Sequence, residues 1–214
     1  MPALHAGLEA EIDRHWAAAC ARSRLFNGRI FCADRITPWV IEGHWTEYRR
    51  ITAQMADHGL VPRVSVRSLA VCGVLCGPDG VAVGRRERTA AYQPGEWQLP
   101  PAGSVDVNAA TADGADWRRA LYGELREELG IEPGDVTGMR PLCLVQHPSG
   151  VTDMGVQIDT GLSGAEILAR QRGAADQEYD RMMVVPAAEV AARVAAEEGS
   201  LVPPALAFLS RVRW

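Results

Sequence analysis

Two periods of apolar spacing alternate along this chain, and the switches between them outline its elements. Leu8, Ile12, Trp16 and Ala19 recur at helical spacing, so LEAEIDRHWAAACARS reads as a helix. In LFNGRIFCADRI, Asn27-Gly28 marks a turn and the alternation after it predicts a strand, with WVIEG as a candidate partner. HWTEYRRITAQMADHG returns to helical spacing and stops at Gly59, with Pro62 beyond; His44 and Trp45 are expected to cap and anchor that helix. VSVRSLAVCGVLCG is apolar and β-branched as a buried strand is, PDG is a hairpin turn, and VAVGRR is the returning strand. RERTAAYQPGEWQLPPAGSVD reads as loop and short strand, and NAATADGADW as an exposed loop. WRRALYGELREELG carries the strongest helical signal, closed by Gly130 in a left-handed capping position.

Beyond it, MRPLCLVQHP and VTDMGVQIDT predict two strands, LSGAEILARQ a short helix, RMMVVP a strand and AAEVAARVAAEEG a helix. PPALAFLSRVR is a terminal helix opened by proline. Strands of mixed order, with one helix between them and others at the end, predict an α/β sandwich with a mixed sheet. Residues 1–62 read as an N-terminal helix–strand extension packed on a core domain of residues 63–214.

Composition narrows the partners. The 214 residues carry a net charge of −5, which offers no electrostatic case for nucleic acid or an anionic membrane. All 22 basic residues are arginine, a usage expected from codon bias in a GC-rich, bacterial genome. Any phosphate recognition therefore falls to arginine forks, backbone N–H groups or a metal. No signal peptide is apparent and no window approaches a spanning helix, so a cytoplasmic location is expected. The five cysteines form no C-x-x-C pair and no pairing with histidine at zinc spacing; Cys72 and Cys76 are expected to be buried thiols.

The chemistry concentrates in LYGELREELGI. Glu124, Glu127 and Glu128 stand at i, i+3 and i+4, so a helix puts them on one face beside the stripe of Leu121, Leu125 and Leu129. Like charges at that spacing repel unless a cation sits among them, and hard divalent cations take such oxygen ligands. Helical geometry alone leaves a solvated acidic face, with Arg126 nearby, equally open.

ELREELGI resembles the second half of the Nudix box, which ends in Arg-Glu-aliphatic-x-Glu-Glu-x-Gly-aliphatic. Upstream, GEWQLPPAGSVD resembles the strand and glycine turn that open that box, with Gly103 as its first glycine, and VAVGRRERTAAYQPGEW the strand and loop before it. The likeness covers roughly Val66 to Val136. It implies the Nudix α/β/α sandwich and hydrolysis of a nucleoside diphosphate linked to another moiety, with Mg²⁺ or Mn²⁺ as cofactor. Three features depart from the pattern. Gly123 stands in place of arginine, the stretch from Gly103 to Gly123 is longer than usual, and no glutamate holds the intermediate position, although Asp113 and Asp116 lie there. With the N-terminal helix, LFNG-x-x-F and the W-T-E-Y segment, these departures resemble the branch that hydrolyses UDP-glucose and UDP-galactose to UMP and a sugar 1-phosphate.

The resemblance implies Glu124, Glu127, Glu128 and the backbone near Gly103 as metal ligands, with Glu127 and Glu128 catalytic. Glu178 stands where related enzymes place a general base. Arg85, Arg86 and Arg88 form a basic cluster suited to phosphate oxygens, with Arg86 favoured, and Trp97 is a candidate for stacking on base or sugar. The expected partner is a small nucleotide. The N-terminal segment is a candidate dimer or lid element, which makes a homodimer a candidate assembly. Other substrates (ADP-ribose, a dinucleotide, a pathway-specific nucleotide) and a nucleotide-binding module without turnover are the competing readings, the last motivated by Gly123.

Overall fold

The computed structural model describes residues 4–23, 25–90 and 92–213. In chain order it contains α1 (Ala6–Cys20), β1 (Arg29–Ile36), β2 (Ile41–Glu47), α2 (Tyr48–Ala56), α3 (Val61–Val64), β3 (Leu69–Gly77), β4 (Gly80–Arg86), β5 (Trp97–Gln98) and β6 (Ala102–Ser104). There follow β7 (Ala110–Thr111), β8 (Gly114–Ala115), α4 (Trp117–Leu129), β9 (Val136–Gln146), β10 (Thr152–Thr160), α5 (Gly164–Arg172), β11 (Tyr179–Val185), α6 (Val190–Ala196) and α7 (Pro203–Leu209). The expected α/β class with a mixed sheet and an N-terminal helix–strand segment is what the chain adopts.

Two compact units emerge, and neither is one continuous stretch. The first comprises Met1–Ala70, Ser104–Trp117 and Gln146–Asp153; the second comprises Val71–Gly103, Arg118–Val145 and Met154–Trp214. The first unit thus takes in residues well beyond position 62.

In the first unit, β1 and β2 pair antiparallel, with Phe31 opposite Trp45 and Cys32 opposite His44. The expected helix start at His44 is corrected here. Residues 44–47 stay extended because each has a ladder partner on β1, and the helix opens only at Tyr48. Leu8 and Ile12 of α1, Ile30 and Cys32 of β1, and Ile51 and Ala53 of α2 bury together with Leu60, Val64, Val66 and Val151. Buried Gln54 is fully engaged: its amide donates to the Val66 and Ser149 carbonyls at 2.9 and 2.8 Å and accepts from the Val66 N–H at 2.7 Å. NAATADGADW, expected as loop, instead closes into the small β7–β8 ribbon, with Ala110 opposite Ala115.

The main sheet runs β11-β4-β3-β10-β9, with β5 added to β4 and β6 to β3. β4 is antiparallel to β3, β5 and β11. The continuous apolar run of β3 reflects burial of both faces, since Val74, Leu75 and Cys76 are all buried although neighbours point opposite ways. Val74, Cys76, Val81 and Val83 share one cluster with Val190 and Val194 of α6 and Phe208 of α7. Gly155 on β10 admits Phe208, whose ring would lie 2.2 Å from any Cβ there.

Candidate functional site

The acids of α4 owe their placement to its leucines. Leu121, Leu125 and Leu129 are fully buried, and the helix ends where Gly130 takes φ +62°. Gly130 N–H donates to Arg126 O and Ile131 N–H to Leu125 O, both at 3.1 Å, so the helix closes on a left-handed glycine cap as the sequence predicts. With that stripe facing inward, Glu128 goes in with it and is 1 % exposed. Glu124 is half-buried and Glu127 lies exposed on the solvent side. The three carboxylates therefore do not gather as a trio; their oxygens do not all lie within 4.8 Å of one another.

Glu124 and Glu128 instead address the 102–103 segment of β6. A Cβ on Gly103 would come 1.8 Å from Glu124 Oε1, so only glycine lets that carboxylate lie against the backbone. Ala102 N–H donates to both oxygens of Glu128 at 3.3 Å. Tyr179 O–H donates to Glu128 Oε2 at 2.6 Å, and Gln98 Nε2 donates to the Tyr179 hydroxyl at 2.6 Å. Burial pushes the Glu128 carboxyl well above its ordinary range, and the negative charges of Glu124 and Glu178 push it the same way. Burial likewise raises Glu178, against the pull of the Arg86 guanidinium, whose Nη1 lies 3.0 Å from Glu178 Oε2.

Strand alternation sorts the remaining candidates. β4 pairs Gly84 with Gln98 and Arg85 with Trp97, so these pairs face opposite sides of the sheet. Gly84, Gln98 and Tyr179 share the carboxylate side, and a Cβ on Gly84 would meet the Tyr179 ring at 2.5 Å. Trp97 is fully buried in the cluster beneath α6 and α7, with Gly199 against its indole. Arg85 goes with it, 5.9 Å over the Trp97 ring and 2.7 Å from Asp180. Arg86 lies two residues beyond Gly84, on the carboxylate side, and its buried Nε has no hydrogen-bond partner. Arg88 is exposed in the turn after β4.

Sequence reasoning missed Tyr179 and Gln98, the two side chains that complete the hydrogen bonding of Glu128. Tyr179 enters through the register irregularity between Tyr179 and Arg181, where β11 passes β4 with an extra residue. Nothing in EYDRMMVV announces that bulge; the signal available was only an aromatic beside Glu178.

The donor set fits a hard divalent cation, since all its groups are oxygens. A buried carboxylate held up by two acidic neighbours is also a local excess of negative charge that such an ion would relieve. Gly123 leaves the adjoining helix surface open: a Cβ added there would meet no atom within 4 Å. Gly123→Ala should accordingly stabilise the protein by about 0.5–1 kcal/mol through helix propensity alone, read as a shift in the urea midpoint.

No protein-family model matches the chain, and no curated protein matches it. Solved structures align with part of it at low identity. A Deinococcus radiodurans protein aligns at 17 % identity over 68 % of this chain and 83 % of its own, with a TM-score of 0.49. The Nudix domain of Shewanella oneidensis NrtR, complexed with ADP-ribose, aligns at 16 % identity over 68 % and 86 %, also with a TM-score of 0.49. A MutT Nudix hydrolase of Burkholderia pseudomallei aligns at 18 % over 68 % and 98 %, with a TM-score of 0.48. Among the described residues, no helix is long and apolar enough to cross a membrane.

Proposed function

We propose that this chain is a divalent-metal-dependent Nudix-type pyrophosphohydrolase that cleaves the diphosphate of a nucleoside diphosphate sugar, a UDP-sugar in the first instance, to NMP and sugar 1-phosphate. The observation that carries this reading is Glu128: a buried carboxylate in the Nudix-like helix, aimed with Glu124 at the glycine turn that the same motif contributes. Glu124, Glu128 and the backbone at 102–103 would hold Mg²⁺ or Mn²⁺, with exposed Glu127 able to approach from the solvent side. When bound, the ion neutralises diphosphate charge and lowers the pKa of an attacking water.

The protein's own groups account for the rest. Arg86, with its unpartnered Nε, is the donor suited to a phosphate oxygen. A phosphate arriving there competes with Glu178 for the guanidinium. That competition frees a carboxylate already biased toward proton uptake by burial, as a general base requires. Tyr179 and Gln98 keep Glu128 in one rotamer.

The test is a panel of UDP-sugars, other nucleoside diphosphate sugars, ADP-ribose, dinucleotides and nucleoside triphosphates with Mg²⁺ or Mn²⁺, products followed by phosphorus NMR. UMP and sugar 1-phosphate from UDP-sugars, at the highest kcat/KM of the panel, is the expected result. Preferred turnover of another substrate would keep the reaction and replace the sugar nucleotide. Thermal stabilisation by a nucleotide without turnover of anything would replace the enzyme by a binding module.

A further inference from the structure

We propose that Cys32, Asp34 and His44 form a binding site for one zinc-class transition-metal ion on the β1–β2 hairpin. The site lies wholly within the first unit, so it does not depend on the acids of α4 or on the activity proposed for them. Among the described residues, these three are the one group of His, Cys and acidic side chains whose candidate ligand atoms all lie within 4.8 Å of one another.

The hairpin builds this cluster by register. Cys32 and His44 are directly opposed, so their side chains leave the same face. Ile30 and Cys32 run along the core side of that face. The ladder then slips between Ala33 and Arg35, leaving Asp34 as the extra residue, and the bulge turns its carboxylate to His44. Asp34 Oδ2 lies 2.7 Å from His44 Nδ1. Gly43, next to His44, permits the close approach of the strands: a Cβ there would stand 2.0 Å from the Cys32 carbonyl oxygen.

Arg67 braces two of the three groups from a neighbouring segment. Its backbone N–H donates to Cys32 Sγ at 3.4 Å, and its guanidinium donates to the Asp34 carbonyl, so both groups are held in place from outside the hairpin. Sulfur, imidazole nitrogen and carboxylate oxygen together select Zn²⁺ or Co²⁺ over Mg²⁺ and Ca²⁺, which prefer all-oxygen cages. At bond lengths of about 2.0–2.3 Å a four-coordinate ion holds its ligands closer together than 4.8 Å, so small side-chain rotations bring all three onto it.

The buried sulfur anchors the ion from below. Asp34 and His44, with side chains 55 % and 31 % exposed, leave a fourth position to water. Thiolate and carboxylate balance the ion's two charges, the imidazole binds neutral, and the one proton released comes from the thiol and passes to solvent.

The test is a Co²⁺ titration of the whole chain under reducing conditions, followed by Zn²⁺ displacement. With the acids of α4 held by excess Mg²⁺, one equivalent should bind with a near-ultraviolet thiolate-to-cobalt band and tetrahedral visible bands, all displaced by Zn²⁺. Cys32→Ser should lose the near-ultraviolet band, and His44→Asn or Asp34→Asn should weaken binding by about 10-fold or more. Cys20→Ser should leave the spectrum unchanged. Absence of a thiolate band in the unaltered protein overturns the site, as does a band that survives Cys32→Ser. Should the buried Cys32→Ser variant fail to fold, the partly exposed His44→Asn and Asp34→Asn variants decide, and unaltered affinity in both overturns the site.

Discussion

Glu128→Gln should lower metal-dependent kcat by about 10³-fold or more while making the metal-free protein more stable at neutral pH. The two effects share one cause. Glu128 is buried, and burial, Glu124 and Glu178 all hold its carboxyl well above the ordinary range. Between the unfolded value and that raised value the native state holds more protons than the unfolded chain, so stability falls as pH rises through this window. The contribution is complete below the unfolded value and lost as the native group ionises. A neutral amide of the same shape keeps an oxygen for Tyr179 or Ala102 and removes the charge. The variant should therefore gain about 1 kcal/mol at pH 8, roughly 2–4 °C in Tm, and show a flatter Tm profile from pH 5 to 8 in chelator. Mg²⁺ should stabilise the unaltered protein and not the variant. Full activity in Glu128→Gln would remove Glu128 from the site, and an unchanged pH profile would remove the buried negative charge from the explanation.

The second large effect is expected at Gly103. Gly103→Ala places a methyl where Glu124 Oε1 now lies, 1.8 Å from the ideal Cβ position. The obstructing atom is the end of a flexible side chain, so the helix need not move and stability should change by less than about 1 kcal/mol. The carboxylate must nevertheless swing away from the 102–103 backbone. Displacing one ligand from a site of this kind should lower kcat about 10- to 100-fold and raise the Mg²⁺ concentration needed for half-maximal rate. Activity within about two-fold of the parent, with an unchanged metal requirement, would mean that Glu124 serves no ion at that position. Paired with Gly123→Ala on the open surface of α4, the variant separates a glycine kept for close approach from one that tolerates a side chain.

The carboxylate helix was the most legible part of the chain. A leucine stripe, three acids and a terminal glycine state both the helix and its buried edge, because the 3.6-residue period writes facing directly into spacing. The α/β class was legible for a similar reason, through continuous apolar strands and helices at 3.6-residue spacing. The start of α2 was not, because HWTE suits either a helix or a strand, and only the ladder to β1 decides it.

Site membership was harder to read than site chemistry. Arg85 and Arg86 are adjacent in sequence, yet a pleated strand sends one to the Trp97 side and the other to the carboxylates. Arg86, Glu178 and Glu128 are brought into one electrostatic neighbourhood by three separate elements, β4, the start of β11 and α4. Tyr179 joined them through a bulge, whose single extra residue changes facing without leaving a mark in composition. The Cys32–Asp34–His44 cluster follows the same logic, since no zinc-like spacing links those residues along the chain.

By itself, the sequence determined most of the helices and strands, which helix carries the acids, and that glycines must stand at its end and in the turn before it. These are local consequences of periodicity and of the missing Cβ. Tertiary structure alone decided that Glu128 is buried and Glu127 exposed, that Trp97 belongs to the core, and that a hairpin bulge gathers sulfur, nitrogen and oxygen. The facing of Trp97 and the hairpin cluster depends on strand register, where a shift of one residue would exchange the faces of the side chains involved, and the burial of Glu128 depends on which edge of the leucine stripe packs inward.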